Sequence, residues 1–151
     1  MSKIPFAVDG SCRPEACVRG PWYRFTLLTD HILRMEYDPE GIFEDRPSQT
    51  VVFRNLPAPE FSTKDDGTKL EIDTPNYHLI YYYNYEKKFC ANNLIIDAKN
   101  DLTNYGARWH FGTRLFGDPP RHNNLFGTAR TLDKAEGGVE LEHGLMDRGG
   151  R

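Results

Sequence analysis

No segment of this 151-residue chain approaches the ~20 apolar residues that cross a bilayer, and Met1-Ser2-Lys3-Ile4-Pro5-Phe6 lacks the apolar stretch of a secretory signal. The cytosol is the expected compartment, with no membrane partner. No block of one charge is present either, since 19 basic residues stand against 22 acidic ones for a net charge of −3. A non-specific nucleic-acid or anionic-surface binder would carry a basic stripe, so nucleic acid is not an expected partner. Cysteine is scarce: Cys12, Cys17 and Cys90 form an odd set without framework spacing. They read as ordinary reduced thiols, which fits the cytosol. Cys12 and Cys17 have no second closely spaced pair to complete a zinc site. His31, His78, His110, His122 and His143 are scattered without metal spacing. No metal and no organic cofactor is expected. A (β/α)8 barrel, which takes roughly 250 residues, cannot fit in a chain of this length.

The chain also lacks a sustained 3.6-residue period. The nearest candidate, 97–105, has asparagines and too few apolar positions for a helix. What it has instead is short apolar/polar alternation between turn residues, the period-two pattern of half-buried strands. Tyr23, Phe25 and Leu27 alternate before Thr29-Asp30, and Leu33, Met35 and Tyr37 before Asp38-Pro39-Glu40-Gly41, which predicts a first hairpin. Thr50 to Phe53 reads as a strand ended by Pro57 and Pro59. A second hairpin is expected from Phe61–Lys64 and Lys69–Asp73 about Asp65-Asp66-Gly67-Thr68, where glycine accommodates a positive backbone angle. Tyr77 to Tyr83 places Tyr77, Leu79, Tyr81 and Tyr83 on one face and His78, Ile80 and Tyr82 on the other, as in a strand enclosed between layers. Leu94-Ile95-Ile96 and Trp109-His110-Phe111 complete the series. With 38% hydrophobic and 13% aromatic residues, the fold class is all-β, an antiparallel sandwich or barrel.

Several segments carry a family likeness. Phe25-Thr26-Leu27-Leu28-Thr29 through Arg34-Met35-Glu36-Tyr37, then Gly41-Ile42-Phe43-Glu44-Asp45-Arg46-Pro47-Ser48-Gln49-Thr50, Leu70-Glu71-Ile72-Asp73-Thr74 and Asn93-Leu94-Ile95-Ile96, follow one another in order. Asn124-Leu125-Phe126-Gly127-Thr128-Ala129-Arg130-Thr131-Leu132-Asp133 and Leu141-Glu142-His143-Gly144-Leu145-Met146-Asp147-Arg148-Gly149-Gly150 close the chain. Together they resemble the N-terminal β-sandwich domain of glycoside hydrolase family 31, the α-glucosidase and α-xylosidase family. The chain departs from the family pattern at Phe126, at Asp147, and at Gly150-Arg151 where a tryptophan is usual. The resemblance implies a galactose mutarotase-like antiparallel sandwich over 1–151, cut before its catalytic barrel. It also implies that the parent protein hydrolyses α-linked glycosides by retaining double displacement. This domain would then pack on the barrel, its partner, and shape the entrance through which the glycoside substrate reaches the parent's site.

The chain alone is expected to be inactive, since a retaining glycosidase needs two carboxyl groups roughly 5–5.5 Å apart. The adjacent pairs Glu44-Asp45 and Asp65-Asp66 point to different sides on strands or turns and read as solvated loop carboxylates. Arg46 is a candidate either to fix its loop through a bidentate carboxylate pair or to face a sugar hydroxyl. Arg130 and Asp133 are candidates for an internal clamp or for docking onto the barrel. The tyrosines at 81–83 with Tyr85 read as sheet core, with a sugar-stacking platform as the alternative. Gly127 and Gly144 read as turn residues. A stand-alone carbohydrate-binding module is the rival reading of function, and a truncated gene product with a bare docking face is a third.

Overall fold

The computed structural model of the chain describes residues 8–48, 51–83, 87–99 and 108–111, all within one compact unit, Met1–Gly112. Among these residues eight strands build two antiparallel sheets. β1 (Cys17–Arg19), β2 (Tyr23–Leu27) and β3 (Leu33–Tyr37) form the smaller sheet in that order. β4 (Ser62–Asp65), β5 (Lys69–Asp73), β6 (Tyr77–Tyr82), β7 (Leu94–Ala98) and β8 (Arg108–His110) form the larger one, each strand beside its sequence neighbour. A single 3-10 turn at Pro14–Ala16 is the one helical element among the described residues, so none there is long and apolar enough to cross a membrane.

The alternation visible in the sequence decides what each sheet turns inward. From β2 come Tyr23, Phe25 and Leu27, and from the larger sheet Leu70, Ile72, Tyr77, Leu79, Tyr81 and Leu94, closed at one end by Phe89. Tyr81 carries the join, with its ring edge-on to Tyr23, Phe25 and Phe89 at centroid separations of 5.0, 5.7 and 5.4 Å. Edge-to-face pairs of this kind add about 0.5–1.5 kcal/mol each beyond area burial. This face-to-face packing makes the unit a sandwich.

Both hairpins lie where the pattern predicts them. β2 and β3 pair with Phe25 opposite Met35, and β4 and β5 pair around a turn in which Gly67 has φ +82°. Two expectations are corrected. Of the strand expected from Thr50 to Phe53, the described residues 51–53 contribute a single parallel bridge, Asp9 to Phe53, because the N-terminal segment meets them for only one pair. β6 is enclosed on one face only. Tyr77, Leu79 and Tyr81 are buried, but His78 and Ile80 are half-buried and Tyr82 is 40% exposed, since no described element covers the outer face of the larger sheet at Tyr82. The sequence reading missed β1, a three-residue edge strand without alternation.

Candidate functional site

β2 is buried along its whole length. Its inward residues meet the larger sheet, which leaves Arg24 and Thr26 on the outer face, where an edge layer of loop covers them. A buried arginine must be paired, and Arg24, 5% exposed, has a partner at each of its three nitrogens. Its register partner on β3, Glu36, accepts two bonds, from Nε at 2.7 Å and from Nη2 at 3.0 Å. Nη1 donates to Asp45 Oδ1 at 2.7 Å, and Nη2 also donates to the Glu44 carbonyl at 3.1 Å.

Two further arginines reach the same carbonyl. Arg34 Nη2 donates to Glu44 O at 2.8 Å and lies 2.6 Å from Glu36 Oε1, and Arg54 Nη1 donates to Glu44 O at 3.3 Å and to Gly10 O at 3.2 Å. Two cations lie over the Phe43 ring, the guanidinium carbons of Arg19 and Arg24 being 5.0 and 5.1 Å from its centroid, close enough for cation–π attraction. The 43–46 segment is thus a strap held on the outer face of the small sheet. Burial alone pulls the Arg24 guanidinium down, but its bonds to Glu36 and Asp45 outweigh that and hold it above its ordinary value. Arg34 is displaced downward, chiefly by burial, with the like charges of Arg54 and Arg24 adding to it against Glu36.

Arg46 ends the strap. Its backbone N–H donates to Glu44 Oε1 at 2.6 Å, its Nε to Oε2 at 2.8 Å, and Nη2 also meets Oε2. The carboxylate fork therefore closes on a residue only two positions away, while the arginine side chain stays largely exposed. These bonds hold Glu44 down at about 2. Arg130 and Asp133 lie outside the described residues, as do His122, His143, Gly127, Gly144 and Tyr85. Among the described residues the structure therefore brings Arg46 together with Glu44, while the neighbouring Asp45 accepts from Arg24.

The adjacent carboxylates Asp65 and Asp66, which could be suspected of chemistry, are in structural use. Asp65 accepts from the Gly67 N–H and from the Tyr83 hydroxyl, and Asp66 from Thr68 and the Lys69 N–H, so the pair braces its turn. An open cleft of about 500 Å3 lies between Leu28, Asp30 and the prolines 57, 59 and 75. A second, of about 300 Å3, shares Glu60 and Pro75 and adds Asp73 and Lys99. Asp30 is held down by His31, and Asp73 by Lys99 and then His78. A general acid at neutral pH needs the opposite displacement. The described residues can clamp loops and present charge, but they show no carboxyl pair poised for proton transfer and group no set of side chains fit to hold a metal ion.

No family model matches the chain, and neither does any of the curated proteins.

Sequence reasoning missed Arg24, Arg34, Arg54 and Gly10, which build the site around the strap. One signal was available for Arg24: the hairpin pattern that pairs Phe25 with Met35 also puts Arg24 opposite Glu36. For the tyrosines, Tyr81 is core, and Tyr83 stacks on Tyr23 with the hydroxyls 3.1 Å apart.

Proposed function

We propose that this chain is the non-catalytic N-terminal β-sandwich domain of a retaining α-glycosidase resembling family 31, a domain that packs on the parent's catalytic barrel and shapes the entrance to its sugar site. The observation that supports this reading is the use made of Phe43-Glu44-Asp45-Arg46. Every member of that family-like segment is engaged in holding a loop on the sheet, through ring, carbonyl, carboxylate or guanidinium. A domain whose task is to present a rigid surface needs its distinctive residues for such fixing, whereas an active site needs them converging in a pocket. The α-glycoside and the barrel are then partners of the parent protein.

The test has two arms. The reading frame past the codon for Arg151 is expected to run on through tryptophan into a barrel with its nucleophile and acid/base, and a stop codon there overturns the proposal. The purified chain is expected to leave chromogenic α-glucosides and α-xylosides intact and to show no change in Trp22 or Trp109 fluorescence on sugar addition. Sugar-dependent quenching would instead establish the stand-alone binding module.

A further inference from the structure

Cys12 and Cys17 are five positions apart in sequence, and the 3-10 turn at Pro14–Ala16, closed by an Ala16 N–H bond to Arg13 O at 3.0 Å, reverses the chain between them. The reversal lays Cys12 over the outer face of the small sheet. There Thr26 Oγ1 lies 3.9 Å from Cys12 Sγ. Thr26 is also the direct register partner of Cys17 on β1, and side chains of directly opposed residues in an antiparallel pair leave the sheet on the same face with Cβ atoms about 4.5–5.5 Å apart. Both sulfurs therefore flank one hydroxyl, and both cysteines are half-buried and unbridged. Neither belongs to the strap or to the pairing of Arg24.

We propose that Cys12 and Cys17 are a modification site, a vicinal dithiol that closes reversibly into a disulfide when it meets an oxidised low-molecular-weight thiol such as glutathione disulfide. In the first step the Cys12 sulfur, having lost its proton to solvent, attacks one sulfur of glutathione disulfide. A Cys12–glutathione bond forms, and one glutathione leaves as thiolate and takes up a proton. In the second step the Cys17 sulfur attacks Cys12 Sγ, the protein disulfide forms, and the second glutathione departs with the proton that Cys17 gives up. Two protein thiols are oxidised and one disulfide is reduced to two thiols. The order follows from the surroundings of Cys17. Burial, and after it the adjacent Cys12 thiol, push the Cys17 thiol up to about 11, so it is a poor first nucleophile and the second step quickens as pH rises.

The bridge would staple the 9–13 segment to β1. That segment already grips the 52–55 stretch through Asp9 N–H to Val52 O, Arg54 N–H to Asp9 O and Arg13 Nε to Asn55 Oδ1. A covalent tie there removes freedom from the unfolded chain, and a gain in thermal stability follows.

The experiment is to equilibrate the full chain in a glutathione redox buffer, block remaining thiols, cleave after Glu15 and weigh the fragments. The expected result is one species lighter by two hydrogens in which the fragments bearing Cys12 and Cys17 stay joined until reductant is added, with a Tm above that of the reduced chain. Cys90→Ser should leave this unchanged, and Cys12→Ser or Cys17→Ser should abolish it. Phenylarsine oxide on the unaltered chain gives a readout that needs no variant: an arsenic bound by both sulfurs and released only by a competing dithiol. Separate glutathione adducts without a bridge, a bridge to Cys90, or arsenic held by a single thiol would each overturn the proposal.

Discussion

Gly10 has no room for a side chain. A Cβ there would lie 2.6 Å from Pro47 N and 2.8 Å from Arg46 C, with Asp45 O nearer still, and all three are backbone atoms that cannot rotate away. Gly10→Ala is therefore expected to push the strap off the sheet and destabilise by about 2–4 kcal/mol. Gly67→Ala meets open space and is penalised only for its φ of +82°, about 1–2 kcal/mol. Urea midpoints of the two variants should fall in that order, and equal losses would remove the close-approach argument. The buried tyrosines differ in the opposite sense. Tyr77 Oη, Tyr81 Oη and Trp22 Nε1 are all buried without a hydrogen-bond partner. Because an unsatisfied buried polar atom costs about 1–3 kcal/mol, Tyr77→Phe and Tyr81→Phe should keep or raise stability. Tyr23→Phe should lose about 1 kcal/mol with its bond to Tyr83. A clear loss in Tyr77→Phe by denaturant titration would mean that its hydroxyl finds a partner in solution.

At the scale of the element, β2 shows why a strand can be read correctly and its role still be missed. Its alternation predicts a half-buried strand with a wet outer face, and the inward residues behave accordingly. The outer face is dry because residues 44, 45 and 54 fold back over it, 20 to 30 positions beyond Arg24, and no local pattern encodes a return of that length. The same holds for Gly10, whose neighbour in space is Asp45. The hairpins were legible because their partners are adjacent and their turns have specific chemistry, as at Asp65 to Thr68. β1 was not, being three residues that pair without alternating. Of the candidate site, the family-like segment and the carboxylate fork of Arg46 were legible, while the three arginines that anchor its carbonyl were not. The anchoring predicts an asymmetry. Arg24→Ala leaves Glu36, whose side chain is 14% exposed, with Arg34 in place of two guanidinium partners, and takes from Asp45 its buried partner, at a cost of about 2–3 kcal/mol. Arg24→Met with Glu36→Leu should recover part of that loss, because a well-packed apolar pair can replace a buried ion pair, while Arg34 gives up its carboxylate and keeps its bond to the Glu44 carbonyl. Asp45→Asn, at a carboxylate 57% exposed, should cost less than about 1 kcal/mol. A double variant no better than Arg24→Ala would show that the guanidinium bonds to the Glu44 carbonyl, rather than the ion pair, hold the strap.

Across the whole molecule the charges set two limits on the pH range of stability. Asp9, Asp30, Glu44, Asp66, Glu71, Asp73 and Asp97 are all held below their ordinary values, each chiefly by a side-chain hydrogen bond: Glu44 from Arg46, Asp66 from Thr68, Asp97 from Arg108. A depressed carboxyl contributes stability that is fully present above its unfolded value, near 3.8 for Asp and 4.5 for Glu, and lost as pH falls through its folded one, about 2 for Glu44 and Asp66. The acid limb therefore lies between about pH 4.5 and 2, and it is shallow because most of these carboxylates are exposed and screened. The alkaline limit has the other sign. Burial raises the Tyr77 hydroxyl from 10.0 to about 12 and, with Cys12, the Cys17 thiol from 9.0 to about 11. Stability from these groups is complete below the unfolded values and is lost as pH climbs through the folded ones. Urea midpoints should accordingly be level from about pH 5 to 8 and fall on both sides. Glu44→Gln should flatten part of the acid limb without touching the alkaline one, and Tyr77→Phe should do the reverse. A steep change between pH 6 and 7 would contradict this division.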